Sequence, residues 1–242
     1  MRIDGRGYIE PRAIEIITGP MEFADGSVII STGKTKILCS ASIEEKTPPF
    51  LEGSGQGWIT AEYSMLPGST SPRKQREKQP RGRSQEIQRL IGRSLRAGVD
   101  LSKLGPRTIN IDCDVMQADG GTRTASISGG YVALKMAISK LRKEGLVSDS
   151  DISTKIAATS IGIFGKNVML DLCYLEDSSA DADFNIVMAE DMKIIEIQGG
   201  AERNRFNRSM VNDVMDAAEI GITKLFQEQN KILENLKTTQ VN

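Results

Sequence analysis

The sequence predicts an α+β fold in which strands followed by helices recur in two rounds, giving sheets covered by helices. Two observations predict it: short alternating apolar runs lie between turn residues, and longer stretches carry apolar residues three and four apart. Taken in order, Ala13 to Thr18, Gly26 to Ser31 and Lys34 to Ile43 read as antiparallel strands, the last two joined across Thr32-Gly33. Residues 44–57 hold Pro48-Pro49 and several glycines and read as a loop, and Trp58 to Ser64 reads as a short strand. Residues 66–83 mix three prolines with basic and polar side chains, which predicts a mobile, solvated basic loop. A helix follows from about Ser84 to Val99, with Ile87, Leu90, Ile91 and Leu95 on one stripe and Arg89, Arg93 and Arg96 together on another. Thr108 to Val115 reads as a strand that passes through Asp119-Gly120-Gly121 into a helix from Thr124 to Leu141. The second round has strands near Lys155 to Phe164, Val168 to Tyr174, Asp183 to Ala189 and Lys193 to Gln198. A helix begins at about Ser209, striped by Val211, Val214, Met215, Ala218, Ile222 and Leu225, and Lys237 to Asn242 should fray.

Composition narrows the chemistry. The 242 residues suffice for one large domain or two small fused ones, and we expect a single domain over 1–242. No uncharged run approaches the ~20 residues of a membrane helix, and the charged start Met1 to Arg6 does not read as a secretory signal, so a soluble cytoplasmic protein without a membrane partner is expected. Cys39, Cys113 and Cys173 lie far apart inside strand-like runs and read as buried, inert thiols. Histidine is absent, which excludes Ser-His-Asp and Cys-His hydrolysis, imidazole bases and His-ligated zinc. Carboxylates, arginines, backbone and metal remain. The net charge of −1 hides a sharp division: residues 73–96 carry seven Arg and two Lys against Glu77 and Glu86, a local excess of +7. From Asn167 to Met192 there is no Lys or Arg, while seven carboxylates fall there.

Three constellations stand out, each with two readings. Gly120-Gly121-Thr122-Arg123-Thr124-Ala125-Ser126, at a strand-to-helix handover, suits a phosphate site of backbone N–H groups and a helix dipole; on spacing alone a capped helix start with a glycine turn is the simpler reading. It lacks the P-loop pattern, so triphosphate binding of that kind is not supported. Arg83 beside the next helix start could grip phosphate in bidentate fashion or stand solvated, and Arg89, Arg93 and Arg96 could form a wet face or a subunit contact. Asp181 and Asp183, two apart, fall on one side if the chain is extended, and with Asp177 they offer oxygens suited to Mg²⁺ or Mn²⁺, or a solvated acidic loop.

Gly57-Trp58-Ile59-Thr60-Ala61-Glu62-Tyr63-Ser64-Met65-Leu66-Pro67 and Gln117-Ala118-Asp119-Gly120-Gly121-Thr122-Arg123-Thr124-Ala125-Ser126 strongly resemble the ribonuclease PH family. The likeness runs from Asp4-Gly5-Arg6 through Pro48-Pro49-Phe50 and Glu86-Ile87-Gln88-Arg89-Leu90-Ile91-Gly92-Arg93 to Glu176-Asp177-Ser178-Ser179-Ala180 and Gln198-Gly199. The resemblance implies two similar strand-helix halves forming mixed sheets. It implies a phosphate-dependent 3′ to 5′ exoribonuclease that trims transfer RNA precursors and other RNA, releases nucleoside diphosphates and runs in reverse as a nucleotidyltransferase. A non-catalytic RNA-binding ring subunit is the alternative. Arg83, Gly121, Thr122 and Arg123 match phosphate-binding positions, with inorganic phosphate as co-substrate, and Asp177 and Asp183 match carboxylates for Mg²⁺ or Mn²⁺ and catalysis. Arg73 and Arg76 stand at the family's basic loop positions, where a further arginine is replaced by Gly68; with Arg89, Arg93 and Arg96 they are expected to bind RNA. The expected assembly is a homohexamer built as a trimer of dimers.

Overall fold

A computed structural model describes residues 2–77, 82–148 and 152–238. Strands β1 (Ile14–Thr18), β2 (Gly26–Thr32) and β3 (Thr35–Glu44) form an antiparallel meander, and β4 (Trp58–Met65) follows a single 3₁₀ turn at Pro49–Leu51. Helix α1 (Arg83–Ala97), a capped turn α2 (Leu101–Leu104), β5 (Thr108–Gln117) and the long α3 (Thr122–Lys143) complete the first round. The second round is β6 (Ile156–Phe164), β7 (Asn167–Leu170), the short α4 (Tyr174–Asp177), β8 (Ala182–Ala189), β9 (Ile194–Ala201) and α5 (Arg208–Thr238).

The strands form two sheets, β1-β2-β3-β5-β4 and β7-β6-β8-β9. The first is mixed, because β4 runs parallel to β5; the second is antiparallel throughout. Helix α3 packs against both sheets, on β2, β3 and β5 from the first and β6 and β8 from the second. That position explains its sequence: Ala125, Ile127, Tyr131, Val132, Leu134 and Ile138 are all buried, so it is apolar around most of its circumference instead of along one stripe. By contrast, α1 buries only Ile87, Leu90, Ile91 and Leu95 with their small neighbours, as its periodicity predicts, and α5 buries Val214, Ala218, Ile222 and Leu225 against the second sheet. All three cysteines are free and buried, as expected.

One predicted element needs correction. The expected strand from Val168 to Tyr174 stops at Leu170, because Asp171 adopts φ 55 and turns its carboxylate onto Arg12, after which the chain coils into α4. The turn α2 is too short to carry an apolar periodicity in the sequence; Asp100 caps it by accepting from the Ser102 N–H. Of the basic loop expected over 66–83, residues 66–69 lie against the end of the first sheet, and 71–73 and 75–77 are exposed. The Leu66 N–H donates to the Val115 carbonyl and the Ala118 N–H to the Ser69 carbonyl. Residues 78–81 lie outside the described residues, as do 239–242, where most of the expected fraying falls. Among the described residues no helix is long and apolar enough to cross a membrane.

Candidate active site

The handover from β5 to α3 builds one end of a cleft. Gly120 and Gly121 take φ 75 and 65, and a Cβ on Gly120 would stand 2.4 Å from the Leu172 carbonyl oxygen, so only glycine fits there. The turn is braced from three sides. The Arg12 guanidinium donates to the Asp119 carbonyl at 2.6 Å, the Thr35 hydroxyl to the Gly120 carbonyl at 2.7 Å, and the Tyr174 N–H to the Asp119 carboxylate at 3.2 Å. No side chain caps the first turn of α3, which leaves its leading N–H groups for a ligand. The Thr122 hydroxyl is occupied at 2.9 Å by that of Tyr63.

Arg123 reaches across the cleft. Its guanidinium donates to Gln198 Oε1 at 2.9 Å and lies 3.2 Å from the Glu86 carboxylate, while Gln198 Nε2 donates to Glu86 at 2.7 Å. Helix α1 and strand β9 thus fix the angle of a cation supplied by α3. Arg83, the first residue of α1, stands exposed on the cleft wall, and its guanidinium makes no hydrogen bond among the described residues.

The opposite end carries the carboxylates. Asp177 ends α4, which is anchored by a buried pair: Arg2 donates to both Glu176 oxygens at 2.8 and 2.6 Å, and Glu176 also accepts from the Cys173 N–H. Arg12 grips Asp171 just upstream in the same way, through Nε at 3.0 Å and Nη2 at 2.6 Å. Paired buried ions of this kind specify one geometry, which is what a site-bearing turn needs. Asp183 lies on β8 with Gly162 and Gly200 as its register partners, and a Cβ on Gly200 would meet nothing within 4 Å. Neither register partner therefore carries a side chain beside Asp183. Asp181, which sequence spacing placed beside Asp183, is directed elsewhere; it precedes the strand and accepts from the Gly165 N–H and the Asn204 amide, both at 2.7 Å.

These two ends line one cavity of about 600 Å³, whose wall includes Arg83, Gly121, Thr122, Arg123, Asp177 and Asp183. The charges feel one another: burial pushes the Asp177 carboxyl above its ordinary range, Asp183 and Glu202 push it further, and Arg83 and Arg123 pull it back. Among the described residues no group of three or more metal-ligating side chains gathers at coordination distance. The five arginines expected to bind RNA are not on the cavity wall. Arg73, Arg76 and Arg89 are exposed, whereas Arg93 pairs with Glu196 at 2.6 Å and Arg96 lies 4.3 Å over the Trp58 ring while donating to the Ile59 carbonyl. No local sequence signal singles out the scaffold residues Arg2, Arg12 and Asp171, and Glu86, Glu176 and Gln198 stand in the sequence only as members of motifs or charged segments.

An uncapped helix start and two arginines sharing a cavity with a carboxylate pair, on a two-sheet α+β frame, have the chemistry that suits a phosphate ester. Residues 10–139 match the family described as 3′ exoribonuclease family, domain 1, and residues 155–221 match domain 2 of the same family; the chain belongs to that family. It is 53% identical over 236 residues to the Ribonuclease PH of Bacillus pumilus, covering 96% of this chain and 98% of the relative. It is also 53% identical to that of Crocosphaera subtropica over 96% and 97% of the two chains. Among solved structures, rice Rrp46 superposes with a TM-score of 0.79 at 15% identity over 96% of this chain and 100% of its own. The Archaeoglobus fulgidus exosome with RNA bound to the active site superposes with a TM-score of 0.77 at 22% identity, over 94% and 92%. At those identities the structures speak to the fold alone.

Proposed function

We infer that this cavity is where the chain, a phosphorolytic 3′ to 5′ exoribonuclease with inorganic phosphate as co-substrate, sets that phosphate against the last phosphodiester of RNA. The observation that carries the reading is the convergence of Arg83, Arg123 and the Gly121 helix start with Asp177 and Asp183 in one cleft. Bringing two phosphate groups together meets a repulsion of about 4 kcal/mol for unit charges ~4 Å apart at an effective dielectric of 20. Arg83, Arg123 and the N–H groups of the α3 start offset it and hold the incoming phosphate in line. A phosphate oxygen then attacks the terminal phosphorus, the bond from that phosphorus to the 3′-oxygen of the preceding nucleotide breaks, and a nucleoside diphosphate leaves. Phosphate is already anionic at neutral pH, so a chain without histidine needs no strong base. In this reading Asp183 gives the departing 3′-oxygen charge relief or a proton. The reverse reaction transfers a nucleotidyl group to an RNA 3′ end.

Mg²⁺ or Mn²⁺ suits the site, since Asp177 and Asp183 are oxygen donors on one cavity wall, burial and then the Asp183 charge raise Asp177, and one or two carboxylates with substrate phosphate suit Mg²⁺. Bound there, the ion would neutralise charge on the scissile phosphodiester. Arg73, Arg76 and Arg89 are exposed and suit tracking of an RNA backbone without reading its sequence; Arg93 and Arg96 are engaged within the chain, which suits a structural role. Tyr174, 60% exposed on the cavity wall, offers a ring on which any base can stack. We take precursors of transfer RNA as the substrates, the cytoplasm as the compartment and 1–242 as one working domain with a mobile basic loop. The assembly is then a homohexamer of three dimers, and Ile194 and Ile197, half exposed on the open edge strand β9, are surface for a neighbouring subunit to cover.

Incubating RNA with and without inorganic phosphate tests the reading. Nucleoside diphosphates released only when phosphate is present support it; nucleoside monophosphates released without phosphate would mark a hydrolytic nuclease, and no release at all a binding subunit.

A further inference from the structure

We propose that Asn185 contacts the substrate, its side-chain amide N–H donating to the inorganic phosphate. The starting observation is a polar side chain that is buried and idle. Asn185 is only 7% exposed, yet its carboxamide makes no hydrogen bond among the described residues. Nor is it one of the polar side chains sealed off without a partner: its remaining access to solvent is through the cavity, whose wall it forms. A buried amide in that state is stabilised only when something arrives to bind it.

Register decides what arrives. Asn185 lies two residues beyond Asp183 on β8 and therefore on the same face of the sheet. Its partners are Ser160 on β6 and Gln198 on β9. The Ser160 hydroxyl oxygen is 3.7 Å from where a Cβ on Gly121 would stand, so that neighbour touches the glycine turn. Gln198 accepts from the Arg123 guanidinium, so the other neighbour holds the cleft's fixed cation. Asn185 is thus flanked by two groups that both touch the anion end, whereas Asp183 is flanked by glycines. An amide can donate to an anion or accept toward a cation, and a helix start beside an arginine attracts the anion. The NH₂ group adds a donor there without adding charge.

This proposal rests on reading the cavity as the phosphate site, and phosphate-dependent release of nucleoside diphosphates by the wild-type enzyme tests that reading separately in the same assay. Two variants, Asn185→Ala and the near-isosteric Asn185→Asp, are compared in steady state, with inorganic phosphate varied at saturating RNA. RNA affinity is measured without phosphate. Asn185→Ala should raise the KM for phosphate by about tenfold or more, the loss expected for one hydrogen bond to a charged group, and leave RNA affinity unchanged. Asn185→Asp, which replaces the donor with a third carboxylate, should bind phosphate less well than Asn185→Ala. A wild-type phosphate KM in Asn185→Ala would overturn the proposal. So would an Asn185→Asp variant equal to or better than wild type, which would mark an oxygen contact to a cation. RNA affinity falling in step with phosphate affinity in both variants would mark a structural side chain and overturn it too.

Discussion

Replacing Arg123 by alanine should cost about 4 kcal/mol of transition-state stabilisation, a loss of roughly 10³-fold in kcat/KM at subsaturating phosphate. The figure follows from one unit charge facing a phosphate at ~4 Å with an effective dielectric of 20. That dielectric suits a guanidinium whose side chain is 16% exposed, where solvent screens little. The fold should survive, because Glu86 and Gln198 remain hydrogen-bonded to each other at 2.7 Å when Arg123 is gone, and neither is stranded. Arg123→Lys keeps a charge and loses the fork that meets both partners, so it should fall between alanine and wild type. The assay is the initial rate of nucleoside diphosphate release from a 3′-labelled oligoribonucleotide across a phosphate titration, with circular dichroism and melting temperature as controls. A loss smaller than about tenfold in a normally folded Arg123→Ala protein would refute the electrostatic reasoning, since it would leave less than ~1.4 kcal/mol to the guanidinium.

Glu176→Ala should destabilise the chain by about 3–5 kcal/mol in chemical denaturation, because it leaves the Arg2 guanidinium buried without its partner. Although burial raises the Glu176 pKa, its bonds with Arg2 and the Cys173 N–H hold it below its usual value; the stability it contributes is present above the unfolded pKa and lost as pH falls through the folded one, and the variant should lose that part of the acid dependence. Asp177 has the opposite sign: its folded pKa is raised, so ionising it at neutral pH opposes folding, and Asp177→Asn should melt higher than wild type at pH 7 without divalent cation, converge with it below the unfolded pKa, and be nearly inactive. Tyr174→Ala should raise the KM for RNA severalfold with little change in the KM for phosphate, and Tyr174→Phe should restore it, as steady-state kinetics with oligoribonucleotides will show. RNA affinity should fall steeply with salt, and Arg73→Ala with Arg76→Ala should flatten that slope in filter binding while Arg93→Ala leaves it unchanged.

The sheets and the principal helices were legible because their signals are local. Alternation of Ile59, Ala61 and Tyr63 marks β4, and the spacing of Ile87, Leu90, Ile91 and Leu95 marks α1. What stayed hidden depends on partners distant in sequence. Nothing near Arg2 or Arg12 announces Glu176 and Asp171, 174 and 159 residues away, yet those pairs hold the turn that presents Asp177. The arginine spacing predicts one helix face, but spacing cannot tell that Arg93 ends on Glu196 and Arg96 on the Trp58 ring. Likewise the two-residue interval from Asp181 to Asp183 implied a shared face only if the chain were already extended at Asp181, and the strand begins one residue later. Of the candidate site, the glycine turn and the carboxylates were visible as motifs; their meeting in one cleft is a product of two sheets clasping α3.

The most direct measurement is an experimental structure of the chain with inorganic phosphate and a short oligoribonucleotide. The account predicts one tetrahedral anion within hydrogen-bonding distance of Arg83, Arg123 and the N–H groups that open α3, with the RNA 3′ end directed at Asp177 and Asp183. Phosphate bound elsewhere while that cleft holds RNA alone would contradict it.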